Sequence, residues 1–231
     1  MKLKKFVKIS GVMEVLTGLS IGGNKDDIGP GGSDTPVIKN PLDNSPYVPG
    51  TSLKGKMRSK LEEVYGVENP IKDKNSGRII GYAPCGCGRK DCIICTLFGA
   101  HMNTKSEAGT PRAIFKDMYI TDEFKDLPID RIFETKNETM VDRKTHTASN
   151  SSLRNRERVA KGVKFNYEIL VQIYDGDNEK KILDTLRRGL ELVEETGLGG
   201  KTTGGYGRVS FGIDDDNYLE EHIDAMTGKV M

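Results

Sequence analysis

Three observations predict an α+β fold with an antiparallel sheet. Segments near residues 3–17, 113–120, 165–173 and 206–213 read as strands, two of them with clear period-two alternation. Two others, 52–65 and 182–193, repeat apolar residues at helical spacing. Their order along the chain is β-α-β-β-α-β.

Each element has its own signal. Residues 7–16 alternate and are rich in β-branched side chains. Leu53, Met57, Leu61 and Val64 form the stripe of the first helix, with Thr51 or Ser52 as its expected N-cap just after Pro49 and Gly50. Ala113 to Ile120 reads as one strand. Phe165, Tyr167, Ile169, Val171 and Ile173 line one face of the next. Ile182, Leu183, Leu186, Leu190 and Val193 build the second helix, which Gly197 stops. A last strand spans 206–213. This order is that of a ferredoxin-like, RNA-recognition-motif-like core, with helices on one face of a four-stranded sheet. The chain is expected to be a single domain, 1–231, with large insertions at 18–50, 66–111 and 121–163; loops of that length usually carry function. The acidic run at Asp214, Asp215 and Asp216 reads as a solvated turn and lacks calcium-loop spacing.

Composition narrows the classes. Apolar residues make up 35% and charged residues 30%, so the core is modest for 231 residues. A net charge of +1 means that any polyanion site must come from local clustering. No apolar run is long enough to cross a membrane. The first ten residues read as a strand rather than a signal sequence, so a cytoplasmic location is expected. Glutamine occurs once, at Gln172, amid plentiful lysine and glutamate, a bias seen in thermophiles.

All four cysteines, Cys85, Cys87, Cys92 and Cys95, fall within eleven positions. Four thiols this close suit one tetrahedral metal ion, zinc above all, in an insertion too small and polar to fold on a core of its own. Two local disulfides are the alternative, but Cys85 and Cys87 make poor partners. The spacing is not that of a standard finger, and His101 could replace one thiol.

Three basic segments are candidate anion sites. The first is glycine-rich: Gly197, Gly199, Gly200, Gly204, Gly205 and Gly207 surround Lys201, Tyr206 and Arg208. Glycines allow close approach to a phosphate, and adjacent N–H groups can cradle it. A nucleotide-binding P-loop is excluded, because Glu195 stands where it needs glycine and the order here is helix then strand. The second is the start of the first helix, with Lys54, Lys56 and Arg58; the helix dipole favours anions there. The third, 140–164, carries Arg143, Lys144, Arg154, Arg156, Arg158, Lys161 and Lys164, with Met140 and Val141 placed to act as an apolar wedge. Asp34, in a glycine turn before Thr35 and Pro36, is an ordinary loop aspartate by itself, and Asp26, Asp27 and Asp43 are equal candidates for a catalytic carboxylate.

Together the stretches 16–23, 33–39 (SDTPVIK), 47–58 (YVPGTSLKGKMR) and 204–208 (GGYGR) resemble the RAMP superfamily, and within it the RNA-cleaving backbone subunits of type III-A CRISPR (Csm) effector complexes. The resemblance runs along nearly the whole chain. It implies copies stacked head to tail along a CRISPR guide RNA, in contact with other Csm subunits. It makes 121–163 a thumb that kinks the guide–target duplex, and the glycine loop and first helix the grip on the guide. It aligns Asp34 with the family's catalytic aspartate. It also implies cleavage of complementary target RNA by its own 2′-hydroxyl, with Asp34 orienting the hydroxyl or holding Mg²⁺. His146 is a further candidate base without independent support. A non-catalytic guide-binding scaffold shares the loop and thumb but does not need Asp34. A guide-processing endoribonuclease of the same superfamily usually has two such cores.

Overall fold

A computed structural model describes residues 2–22, 36–103, 105–149, 152–213 and 218–231. Its elements are β1 (Leu3–Val15), β2 (Tyr47–Val48), α1 (Gly50–Val64), β3 (Pro70–Lys72), β4 (Ile79–Tyr82), α2 (Ile93–Phe98), β5 (Ala113–Phe115), β6 (Met118–Ile120), α3 (Asp122–Lys125), α4 (Ile129–Ile132), β7 (Phe133–Glu138), β8 (Arg154–Val159), β9 (Lys164–Tyr174), α5 (Glu179–Thr196), β10 (Val209–Ser210) and β11 (Leu219–Asp224).

The centre is a mixed α/β arrangement around an antiparallel sheet ordered β10-β1-β9-β6-β2. β5 also pairs with β9, and β11 with β1. Alternation in β1 and β9 decides which face is dry. Val7, Ile9 and Met13 lie opposite Val171, Ile169 and Phe165, and all six are buried. Above them sit Leu53, Met57 and Leu61 of α1 and Ile182, Leu186, Leu190 and Val193 of α5. Gly189 lets the two helices close up: a Cβ there would stand 2.7 Å from Met57 Cε. Each such leucine-sized side chain contributes about 1.5–3 kcal/mol by leaving water. The opposite face shows Asn166, Glu168, Leu170 and Gln172 and is at least partly wet.

Four boundaries differ from the sequence reading, each for a local reason. α1 begins at Gly50, so Thr51 and Ser52 lie inside its first turn; the cap comes from outside, where the Gly50 amide donates to Asp117 Oδ1 at 2.7 Å. That inward turn of Asp117 splits the expected 113–120 strand into β5 and β6. The expected strand at 206–213 keeps only Val209–Ser210, because the Glu194 carboxylate takes the Phe211 amide. β1 then finds its remaining edge partner in β11, for which no strand was expected.

The insertions are not plain loops. Residues 66–111 contain the exposed β3–β4 hairpin and the short helix α2, and α2 is not polar. Ile93, Ile94, Leu97 and Phe98 join the main core, so this insertion draws on the sheet's core as well as on its thiols. Its end is pinned by Arg112, 3% exposed, which meets Asp177 through Nε at 2.8 Å and Nη2 at 2.9 Å and stacks 4.6 Å from the Tyr174 ring centroid. Removing one partner of such a pair strands a buried charge. Arg112→Ala is therefore expected to cost about 3–5 kcal/mol in denaturant unfolding; a cost below about 1 kcal/mol, the value of a surface pair, would refute this.

Residues 121–163 hold α3, α4 and the β7–β8 hairpin, with Glu134, Lys136 and Glu138 opposite Arg158, Arg156 and Arg154. Among the described residues no helix is long and apolar enough to cross a membrane.

Candidate nucleic-acid interface and metal centre

The glycine segment after α5 is a packed turn against the end of β1. Gly199 (φ +77°) and Gly207 (φ +66°) need left-handed backbone, and they also have no room for a side chain. A Cβ would stand 2.4 Å from the Ser20 carbonyl oxygen at Gly199 and 1.9 Å from that of Leu198 at Gly207. The amides of Gly200, Gly204, Gly205 and Gly207 donate to the carbonyls of Ser20, Lys201, Thr202 and Gly18. The expected cradle of free amides is thus corrected at these four positions: the protein's own carbonyls use them. Gly204 and Gly205 do face open space, and Arg208 is exposed.

Across from this turn stands the β7–β8 hairpin, and Glu138 joins the two. Its carboxylate accepts from Lys201 Nζ and Tyr206 Oη and pairs with Arg156 Nε at 3.2 Å. Arg158 pairs with Glu134 at 2.6 Å and lies 4.4 Å from the Tyr206 ring centroid, with Lys136 at 4.7 Å. Tyr206 is buried, so it is the hinge pin between hairpin and turn and offers no ring for stacking a base. Arg156, Arg158 and Lys201 likewise meet protein acids first. Arg143 and Arg154 are exposed, and with Lys201, His146, Met140 and Val141 they line a cavity of about 640 Å³ whose wall includes Glu138.

Hydrogen bonds from Lys201 and then Tyr206 hold the Glu138 carboxyl at about 2, against an ordinary 4.5. A carboxyl depressed by folding stabilises fully above its unfolded value, and that contribution is lost as pH falls through the folded one. Between about pH 4.5 and 2, amides of 133–138 and 197–208 are therefore expected to lose exchange protection in the wild type. In Glu138→Gln that pH step should be absent; an identical step in both proteins would refute the assignment.

On α1 the three predicted cations part company. Lys54 and Lys56 have no carboxylate within ion-pair reach among the described residues. Burial, and then Arg58, push the Lys54 ammonium down; burial, and then Lys60, do so for Lys56. An added anion would relieve both. Arg58 has protein partners: it pairs with Glu62 at 2.9 Å and donates to the Cys85 carbonyl at 2.7 Å, so it also serves the cysteine insertion. The helix N-terminus itself is already capped by Asp117.

Glu62 also accepts from the Cys85 amide at 2.8 Å, completing a clamp between α1 and the thiols. The Sγ atoms of Cys85, Cys87, Cys92 and Cys95 all lie within 4.8 Å of one another. Individual separations are 3.6 Å (Cys85–Cys87), 3.9 Å (Cys85–Cys92), 3.7 Å (Cys87–Cys95) and 3.6 Å (Cys85–Cys95). A tetrahedron with metal–sulfur bonds of about 2.3 Å has edges of about 3.8 Å, so the cluster has the size of a four-thiolate site. All four cysteines are free. His101 touches the site through its amide, which donates to the Cys85 carbonyl, and it is not one of the clustered ligands. Burial pushes the Cys85 and Cys95 thiols up, so metal binding must release protons there.

Asp34, with Asp26 and Asp27, lies outside the described residues. The chain on either side is described: Gly22 bridges Val37, and the Ile38 amide donates to the Ile21 carbonyl. Glu157 of β8 then takes the Val37 amide at 3.0 Å and Lys39 Nζ at 2.7 Å. Asp43 accepts from the Ser45 amide and hydroxyl in an exposed Asx turn, which accounts for that carboxylate.

A family model described as the RAMP superfamily matches residues 12–210. The chain is 37% identical to the CRISPR system Cms endoribonuclease Csm3 of Methanothermobacter thermautotrophicus over 227 residues, covering 91% of this chain and 85% of that protein. This chain is a Csm3-like member of the RAMP superfamily. The Csm3 of Methanocaldococcus jannaschii is also 37% identical, over 90% of this chain and 79% of its own length. That of Streptococcus thermophilus is 34% identical, over 89% and 86%. The RAMP fold also matches a chain of the Csm3-Csm4 subcomplex of a type III-A CRISPR-Cas interference complex, with a TM-score of 0.56 and 24% identity over 96% of this chain and 81% of that one. A chain of a type III-B Cmr-beta complex bound to cognate target RNA gives 0.59 and 18% over 96% and 62%.

The residues of this RAMP chain that sequence reasoning missed are acids: Glu62, Asp117, Glu138 and Glu157. Alternation of Glu134, Lys136 and Glu138 against Arg154, Arg156 and Arg158 was a readable hairpin signal.

Proposed function

We propose that the chain is the guide-RNA-binding backbone subunit of a type III-A CRISPR effector complex and cleaves the complementary target RNA. The relatives that match nine-tenths of the chain are named Csm3 endoribonucleases. The observation that carries the reading in this molecule is the cavity between hairpin and glycine turn, with exposed Arg143 and Arg154, Lys201 and the apolar Met140 and Val141. Cations hold the sugar–phosphate strand without reading sequence, and base pairing with the guide selects the target. Lys54, Lys56, Arg208 and the open sides of Gly204 and Gly205 extend the grip. Met140 and Val141, 63% and 51% exposed at the hairpin's far end, are the wedge that unstacks the duplex.

Within this reading the core is ferredoxin-like, one domain with insertions at 18–50, 66–111 and 121–163. The split order β10-β1-β9-β6 supports it. Copies stack head to tail on the guide beside other Csm subunits, in the cytoplasm. Zinc is the structural ion of the thiol cluster, whose edge lengths suit it. Asp34 is the catalytic carboxylate; Gly22 and Val37 pair with each other, and Glu157 of β8 holds Val37 and Lys39, a few residues after Asp34 in sequence. Asp34 would hold a divalent cation such as Mg²⁺, which would neutralise charge at the scissile phosphate. The chain's own part is to fix the strand so that the 2′-oxygen, phosphorus and 5′-oxygen fall in line.

Assembly on a guide RNA followed by incubation with a complementary RNA and Mg²⁺ should give a ladder of products at regular spacing with 5′-hydroxyl ends. EDTA should abolish it. A subunit that binds guide yet leaves the target whole would reduce the chain to a scaffold.

A further inference from the structure

The cavity between hairpin and turn is lined by two carboxylates, which a grip on RNA does not call for: Asp142 accepts from the Lys144 and Thr145 amides of its own turn, and Glu138 stands beside the cations. Glu138 is the last residue of β7, opposite Arg154 in register. It accepts from Lys201 and Tyr206 of the glycine turn and forms an ion pair with Arg156 of β8. An oxyanion bound by an ammonium, a guanidinium and a hydroxyl has the surroundings of a nucleotide phosphate oxygen. We propose that Glu138 stands in for a guide phosphate. It holds Lys201 in the RNA-free subunit and yields it when the strand enters, keeping Tyr206 and Arg156. The inference rests on the reading of the chain as a guide-binding subunit.

The two cations differ in freedom. The Arg156 side chain is 17% exposed within the hairpin, whereas that of Lys201 is 39% exposed. The Lys201 backbone (φ +57°) is fixed, since its carbonyl accepts the Gly204 and Tyr206 amides. Only its flexible four-carbon stem must swing, and a lysine point charge serves carboxylate and phosphate alike. Glu138 then has two effects. It docks hairpin to turn before RNA arrives, and it subtracts from affinity, because the phosphate must compete for Lys201.

The second effect gives a test whose sign separates a stand-in from a strut. Binding of a labelled single-stranded RNA oligonucleotide to the full chain is measured by fluorescence anisotropy from about 50 to 200 mM NaCl. Glu138→Gln keeps shape and a hydrogen-bonding oxygen. It should bind about threefold tighter at the lowest salt, because Lys201 no longer has to leave a carboxylate to reach the phosphate. The gain should vanish in the Lys201→Ala background. Equal or weaker binding by Glu138→Gln, with an unchanged circular dichroism spectrum, would overturn the proposal and leave Glu138 a strut. If that variant does not fold, Glu138→Asp, whose shorter carboxylate loosens Lys201, must shift affinity in the same direction. Absence of RNA binding by the wild type would instead remove the functional reading on which the proposal stands.

Discussion

Asp34→Ala is expected to slow cleavage of a guide-complementary RNA by about 10²- to 10⁴-fold, the usual contribution of one positioned acid–base group. Guide affinity should stay within about twofold, because removing one negative charge takes away none of the cations that grip the strand. The 2′-hydroxyl is a poor nucleophile unless it is oriented or its proton accepted, and the phosphate gains charge as it is attacked. A carboxylate answers both needs, directly or by holding a cation. Of the loop acids considered, Asp43 is bound up in an Asx turn. The 33–39 segment leads through Pro36 to Val37 and Lys39, both fastened by Glu157 on the hairpin that carries Arg154, Arg156 and Arg158. Normal ladder products from the alanine variant, with guide bound, would remove Asp34 from the chemistry.

Cys95→Ser, or exhaustive chelation, should abolish stoichiometric metal and unfold much of 66–111. Cys95 is fully buried within 3.7 Å of both Cys85 and Cys87, so its loss opens the tetrahedron from inside. Structural zinc contributes about 10–16 kcal/mol to small thiolate domains, comparable to the whole stability of an ordinary domain. The sheet should survive, since Val7, Ile9, Phe165 and Ile169 are packed by α1 and α5 independently of the thiols. Hydrogen exchange should therefore show rapid labelling from 66 to about 100 with β1 and β9 still protected. Full protection of that stretch in metal-free protein would contradict a structural ion.

What could be read from sequence alone follows the strength of the physical signal. β1, β9, α1 and α5 were legible because each buries one face, which imposes a period of two or 3.6. The four thiols were legible because their type and crowding leave few alternatives. The bounds of β10 and the existence of β11 were not, because the Glu194 carboxylate, seventeen residues before Phe211, decides where the first of them leaves the sheet. The basic segments were found as composition, but composition does not show which cation is already satisfied. Arg58, Arg156, Arg158 and Lys201 are answered by Glu62, Glu138 and Glu134 from other turns or strands, while Arg143 and Arg154 remain exposed. Tyr206 was legible only as a member of the glycine segment, not as the buried ring under Lys136 and Arg158 that it is.

The clamp of Arg58 and Glu62 on the carbonyl and amide of Cys85 ties the thiol insertion to the helix that also carries Lys54 and Lys56. Loosening the thiols would therefore be felt along α1, on the same element that presents those two lysines.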